Sequence, residues 1–252
     1  MAPRLILFDL DGTLIDHFRA IHRSYVHTLP RLGLPAPTYE EVRAAVGGGL
    51  ERAMLRFVDP ARLEEAVGIY RTYFNATLLD DVELLPGALP LLQALHARGL
   101  RSAVLTNKLG SASRAICQHL GLMPYLSGVY GAGDTPWLKP QPGFAAHALA
   151  ELQASPAETL LVGDSPFDVE TGRNGGFPCW VVTTGTLMTP RSSGPPARTT
   201  CTPTWTRSAP TCFGPGKPRP RRLRDSPARV SRALIPPRLH RRVPPALRTL
   251  LR

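Results

Sequence analysis

The chain has 252 residues, 43% hydrophobic and 19% charged, which is enough apolar material for one sizeable α/β domain plus a smaller appendage and excludes wholesale disorder and fibrous classes. The net charge of +11 suggests nucleic acid until it is divided along the chain. Residues 186–252 hold 15 of the 30 Lys and Arg against one acid, Asp225, and residues 1–185 form a mildly acidic body with 15 basic and 18 acidic residues.

Four cysteines without a CxxC spacing suit a reducing compartment. The first apolar run, Leu5–Phe8, is cut short by Asp9 and Asp11, too early for a membrane span or a leader's apolar core. These features predict a cytoplasmic protein with no membrane contact.

In chain order, Arg4–Asp9 is a nearly continuous apolar run, the pattern of a strand buried on both faces. Amphipathic helical stretches follow at Phe18–Leu29, Tyr39–Val46, Leu50–Val58 and Arg62–Asn75, with no convincing strand between them. After Leu84 the pattern alternates. Strands are predicted at Arg101–Thr106, Leu126–Tyr130, Thr159–Gly163 and Cys179–Thr183, and helices at Ala88–Arg98, Ser111–Leu120, Gly143–Gln153 and Phe167–Asn174. Such alternation implies a Rossmann-like parallel sheet with helices on both faces and a ligand crevice beyond the carboxyl ends of the strands. The expected fold class is therefore α/β with an inserted helical cap. Residues 1–14 and 84–185 form the core, 15–83 the cap, and 186–252 an irregular basic tail; Ile15 and Leu84–Gly87 are the hinges.

The chemistry-bearing residues sit where the predicted strands end. Asp9–Leu14 (DLDGTL) follows the first, Thr106 and Asn107 end the second, Lys139 and Pro140 occupy a loop before a helix, and Asp164, Ser165 and Asp168 end another. Leu10 alternates away, so Asp9 and Asp11 return to one side. Gly12 allows backbone N–H groups close to an anion. A lone DxD is a solvated turn, but in a parallel sheet these four strand ends converge on one crevice.

From Leu5 to about Gly185 the chain resembles the haloacid dehalogenase-like superfamily of phosphohydrolases, most closely its phosphoglycolate phosphatase-like branch with a helical cap. The resemblance implies a phosphomonoester hydrolase acting on a small anionic phosphometabolite. Asp9 would be the nucleophile that forms an aspartyl-phosphate, and Asp11 the general acid that then serves as base. Gly12, Thr106, Asn107 and Lys139 would hold the phosphate. Mg²⁺, a hard oxygen-seeking cation, would take the carboxylates of Asp9 and Asp164 and the backbone carbonyl of Asp11. Asp168 would orient Lys139 or a metal-bound water, or serve only as an acid at a helix N-terminus; Ser165 could be only an N-cap. Gly48 and Arg52 resemble the substrate-facing cap segment, with Arg52 meeting a substrate anion or lying as a solvated helix arginine. A sugar-phosphate mutase or pyrophosphatase would share nearly the same core.

After Gly185 the hydrophobic period disappears and 13 of the 27 prolines follow. Back-translated with G or C at third positions and read from the last base of Leu187, the stretch from Met188 to Cys212 becomes HDAAELRAAGADHVHADLDALRADL, the helix, strand and helix that the resemblance leads one to expect next. The reading is a displaced frame near Thr186–Leu187; the competing one is a nucleic-acid-binding arm, against which stand a single lysine and scattered arginines.

Overall fold

A computed structural model describes residues 3–182 and the backbone of the pair Thr206–Arg207. Its elements are β1 (Leu5–Phe8), β2 (Ile15–Asp16), α1 (Phe18–Thr28), α2 (Tyr39–Ala45), α3 (Leu50–Met54), α4 (Leu63–Ala76), β3 (Glu83–Leu84), α5 (Ala88–His96), β4 (Arg101–Leu109), α6 (Gly110–His119), β5 (Val129–Ala132), α7 (Pro142–Glu151), β6 (Thr159–Gly163), α8 (Pro166–Gly175), β7 (Cys179–Val181) and β8 (Thr206–Arg207). The expectations of a displaced frame, a structureless tail and a nucleic-acid arm fall, apart from β8, outside the described residues.

The main sheet runs in the order β5-β4-β1-β6-β7-β8, parallel from β5 to β7, with β8 antiparallel on β7. β1 lies between β4 and β6, so the chain reverses its direction of growth there, which in open α/β sheets opens a crevice at the carboxyl ends. The four residues of β1 are essentially unexposed, and their alternation fills both layers. Leu5 and Leu7 pack with Phe144, Ala145 and Ala148 of α7; Ile6 and Phe8 pack with Leu91, Leu92 and Leu95 of α5 and Ile116 of α6. Burial of each such side chain contributes about 1.5–3 kcal/mol, which makes β1 a rigid mount for the residue that follows it.

Helices α1 to α4 lie between β2 and β3 and build their own core around Tyr25, Met54, Tyr70 and Phe74. The rings of Tyr25 and Tyr70 meet edge-on, 5.1 Å apart. β2 and β3 form an antiparallel two-stranded ribbon, Ile15 opposite Leu84 and Asp16 opposite Glu83, at the two junctions expected as hinges. Sequence periodicity missed this ribbon because two residues cannot display a period. Arg23 of α1 ties down the returning strand by pairing with Asp80 and Asp81, the latter at φ +55°. No helix among the described residues is long and apolar enough to cross a membrane.

His17, just before α1, is fully buried, and neither ring nitrogen makes a hydrogen bond of good geometry. Burial, and then the nearby Lys108 ammonium, push its pKa down to about 4. The unfolded chain thus binds a proton below about pH 6.5 that the folded chain refuses until about pH 4. Stability present above pH 6.5 is therefore lost as pH falls through this window, by up to about 3 kcal/mol. Denaturant unfolding of wild type and His17→Leu at pH 7.5 and 4.5 measures it: the variant should lose distinctly less on acidification, and parallel losses would contradict the assignment.

Candidate active site

Asp9 extends β1 by one residue, its N–H donating to the Val162 carbonyl at 2.8 Å, so the sheet ladder itself fixes its backbone. It is 6% exposed. The chain then turns: Gly12, at φ +79°, donates its N–H to the Ile15 carbonyl, and Asp11 bridges to Ile15. A positive φ at this point suits glycine because a Cβ there would be strained. The turn brings the Asp11 carboxylate into the same cavity as Asp9.

β4 supplies Thr106, Asn107 and Lys108 next door. The Thr106 hydroxyl accepts from the Lys108 N–H and lines the cavity. Asn107, expected on the phosphate, lines the cavity and is held in a network of its own. Its amide nitrogen donates to the carbonyls of Gly47 and Lys139, and its oxygen accepts from the Lys139 N–H at 2.7 Å. With both amide hydrogens spent, the side chain is a clip that holds the Lys139 loop and the helical insert. Lys108, absent from the sequence expectations, donates to both Asp11 oxygens at 3.0 and 3.1 Å.

The loop carrying Lys139 and the end of β6 complete the floor. Lys139 is buried with its ammonium 2.8 Å from Asp9 Oδ1 and 2.6 Å from Asp168 Oδ1. Asp168, one turn into α8, uses its other oxygen to accept from the Ser165 N–H and hydroxyl, closing a capping box. One carboxylate therefore caps the helix and aims the lysine, joining two roles that the sequence left as alternatives. Gly163 makes this possible: a Cβ there would run into the Asp168 carboxylate. Burial raises the Asp9 carboxyl to about 6, opposed by Lys139 and reinforced by Asp168. Burial also works against the Lys139 charge, but Asp168 and Asp9 outweigh it and hold the ammonium protonated above its ordinary range.

The insert roofs the cavity, about 610 Å³ in volume. Gly47 and Gly49 line it, with Gly48 between them against Arg52 and Phe167. A Cβ on Gly48 would sit 2.9 Å from Phe167, so the glycine is needed for close approach of insert to α8. Arg52 does line the cavity, its guanidinium 5.0 Å from the centre of the Phe167 ring.

The family of haloacid dehalogenase-like hydrolases matches residues 6–182. The chain belongs to that family. Tyrosine-protein kinase PtkA of Mycobacterium tuberculosis is 33% identical over 181 residues, 72% of this chain and 62% of the kinase, so the chain spans less than two thirds of that relative. Phosphoglycolate phosphatase of Aquifex aeolicus is 32% identical over 173 residues, 69% of this chain and 81% of the relative. A solved haloacid dehalogenase-like hydrolase from Streptococcus pneumoniae superposes with a TM-score of 0.67 at 29% identity, covering 73% of this chain and 86% of the other.

In this haloacid dehalogenase-like hydrolase, Asp9, Asp164 and Asp168 each place an oxygen within 4.8 Å of the others, all buried. The Asp9 carboxyl is raised first by its burial, with Asp168 adding to the shift and Lys139 opposing it. Both Asp168 oxygens are engaged by Lys139 and Ser165, so within this group Asp168 is already committed to the protein's own donors.

Proposed function

We propose that the chain is a Mg²⁺-dependent phosphomonoester hydrolase working through an aspartyl-phosphate on Asp9. The observation that carries this reading is the buried Asp9–Lys139–Asp168 triad at the carboxyl end of the sheet, beside Asp11 and Asp164. Asp9 is the nucleophile on phosphorus, its carboxylate aimed by Lys139, whose ammonium also meets the phosphoryl oxygens. The Thr106 hydroxyl donates to those oxygens, and the backbone N–H groups beyond Asp9 serve as further donors. Asp11 protonates the leaving oxygen and afterwards accepts a proton from water.

Asp9, Asp164 and the Asp11 carbonyl would hold Mg²⁺, which neutralises the charge of phosphate against carboxylate. Residues 15–83 act as a cap that shields the reaction from bulk water. Small anionic phosphoesters such as phosphoglycolate are the first substrates to try, with Arg52 the cap residue that meets a remote anion.

The test is phosphate release from p-nitrophenyl phosphate, phosphoglycolate, sugar phosphates and pyrophosphate, with Mg²⁺ and after chelation. Release from at least one monoester is expected with Mg²⁺, falling to background with chelator. A folded protein silent on every monoester would sink the proposal, and preference for pyrophosphate would redirect it.

A further inference from the structure

Lys108 has no part in the proposed chemistry, yet it is one of the most constrained cations in the cavity wall. Its ammonium donates to both oxygens of Asp11, and the two side chains are only 7% and 11% exposed. On its other side it lies 5.0 Å from the centre of the Phe74 ring, on α4 of the insert. An ammonium needs no second partner of this kind when water is available; wedged between a core carboxylate and an insert ring, it is fixed in three dimensions. The remaining rotamer freedom of Asp11 is removed with it, because a carboxylate held through both oxygens cannot rotate about its terminal bond without breaking one contact.

We propose that Lys108 is a positioning residue: it holds the Asp11 carboxylate facing the cavity for attack of water on the aspartyl-phosphate, and through Phe74 it makes that orientation depend on the insert being seated. The inference rests on the phosphohydrolase reading. In the step concerned, water gives a proton to Asp11, its oxygen bonds to phosphorus, and the Asp9 oxygen–phosphorus bond breaks. Inorganic phosphate leaves, the Asp9 carboxylate is restored, and the proton on Asp11 is available to the next leaving oxygen. Phosphorylation of Asp9 by an ester with a good leaving group needs no proton from Asp11, so loss of Lys108 should slow the second half of the cycle selectively. A well-oriented general base contributes roughly 10²–10⁴-fold, and disorienting it without removing it forfeits part of that.

The experiment is rapid-quench kinetics with p-nitrophenyl phosphate and Mg²⁺ on wild type, Lys108→Met, Lys108→Arg, Phe74→Leu and Asp11→Asn. Lys108→Met should release a burst of p-nitrophenol near one equivalent, followed by a steady state roughly 10–100-fold below wild type. The intact protein should carry a phosphoryl adduct after acid quench. Lys108→Arg, which keeps the charge and the donors, should recover most of the rate. Phe74→Leu should show a smaller burst with its dimension and apolar character nearly conserved.

Lys108→Met combined with Asp11→Asn should be no slower than Asp11→Asn alone, because both act on one step. Additive losses, or a Lys108→Met variant that slows p-nitrophenol release without accumulating phosphoenzyme, would overturn the inference. A wild type that neither turns over the ester nor becomes phosphorylated would instead overturn the phosphohydrolase reading.

Discussion

Asp9→Asn is expected to abolish turnover, by on the order of 10⁴-fold or more, because the amide retains the shape of the carboxylate and none of its nucleophilicity. Unfolding will not account for the loss. Burial already holds the Asp9 carboxyl up near 6, so a neutral group at this position is less costly to bury than the carboxylate it replaces. Phosphate release measured under saturating p-nitrophenyl phosphate and Mg²⁺, beside a denaturation midpoint no lower than the parent's, makes the case. A folded Asp9→Asn protein that turns over at even a tenth of the parental rate would move the nucleophile elsewhere.

Lys139→Met should produce the largest stability loss of any single change at this site. The substitution preserves much of the volume but leaves Asp9 and Asp168 facing each other in the interior with their shared cation gone. Breaking a buried pair from one side costs about 3–5 kcal/mol, a large share of the 5–15 kcal/mol that holds a typical domain together. For a chain of this size the corresponding drop in Tm is ~10 °C. The measurement belongs in chelator, so that divalent ions do not supply the missing charge. Lys139→Met with Asp168→Asn should lose less than Lys139→Met alone, because the second change removes a charge that the first left unpaired. Equal midpoints for parent and Lys139→Met would mean that the three side chains do not share a buried cluster.

The strands that carry the acids were legible because each announces itself locally. Leu5–Phe8 is apolar without interruption and then gives way to Asp9; Thr159–Gly163 does the same before Asp164. Parallel pairing then sends those ends to one side of the sheet, so adjacency followed from topology alone. What stayed hidden depends on contacts that no local pattern encodes. Lys108 and Asp11 are 97 residues apart, and nothing near either one marks the ion pair. The commitment of the Asn107 amide to Gly47 and Lys139 joins segments 60 and 32 residues away and makes this side chain a brace. The close approach of Phe167 to Gly48, which leaves no room for a side chain there, is likewise a contact between distant segments. The signal that could have found Lys108 was its place directly after a strand end already assigned to the site.

The brace also sets how tightly the roof is latched. The directional contacts across the seam include the Asn107–Gly47 hydrogen bond at 2.9 Å, the Arg52 guanidinium on Phe167 and the Lys108 ammonium on Phe74. At about 1 kcal/mol for the hydrogen bond and about 0.5–1 kcal/mol for each cation–ring contact, they total ~2–3 kcal/mol. Those contacts weigh less than the 5–15 kcal/mol that holds a typical domain together, so they fix the register of the seam, and the apolar contact of Leu109 and Ala112 with the core of the insert adds to them. Because the Lys139 bonds of Asn107 lie on the core side, losing the Gly47 bond alone would leave the floor of the cavity square.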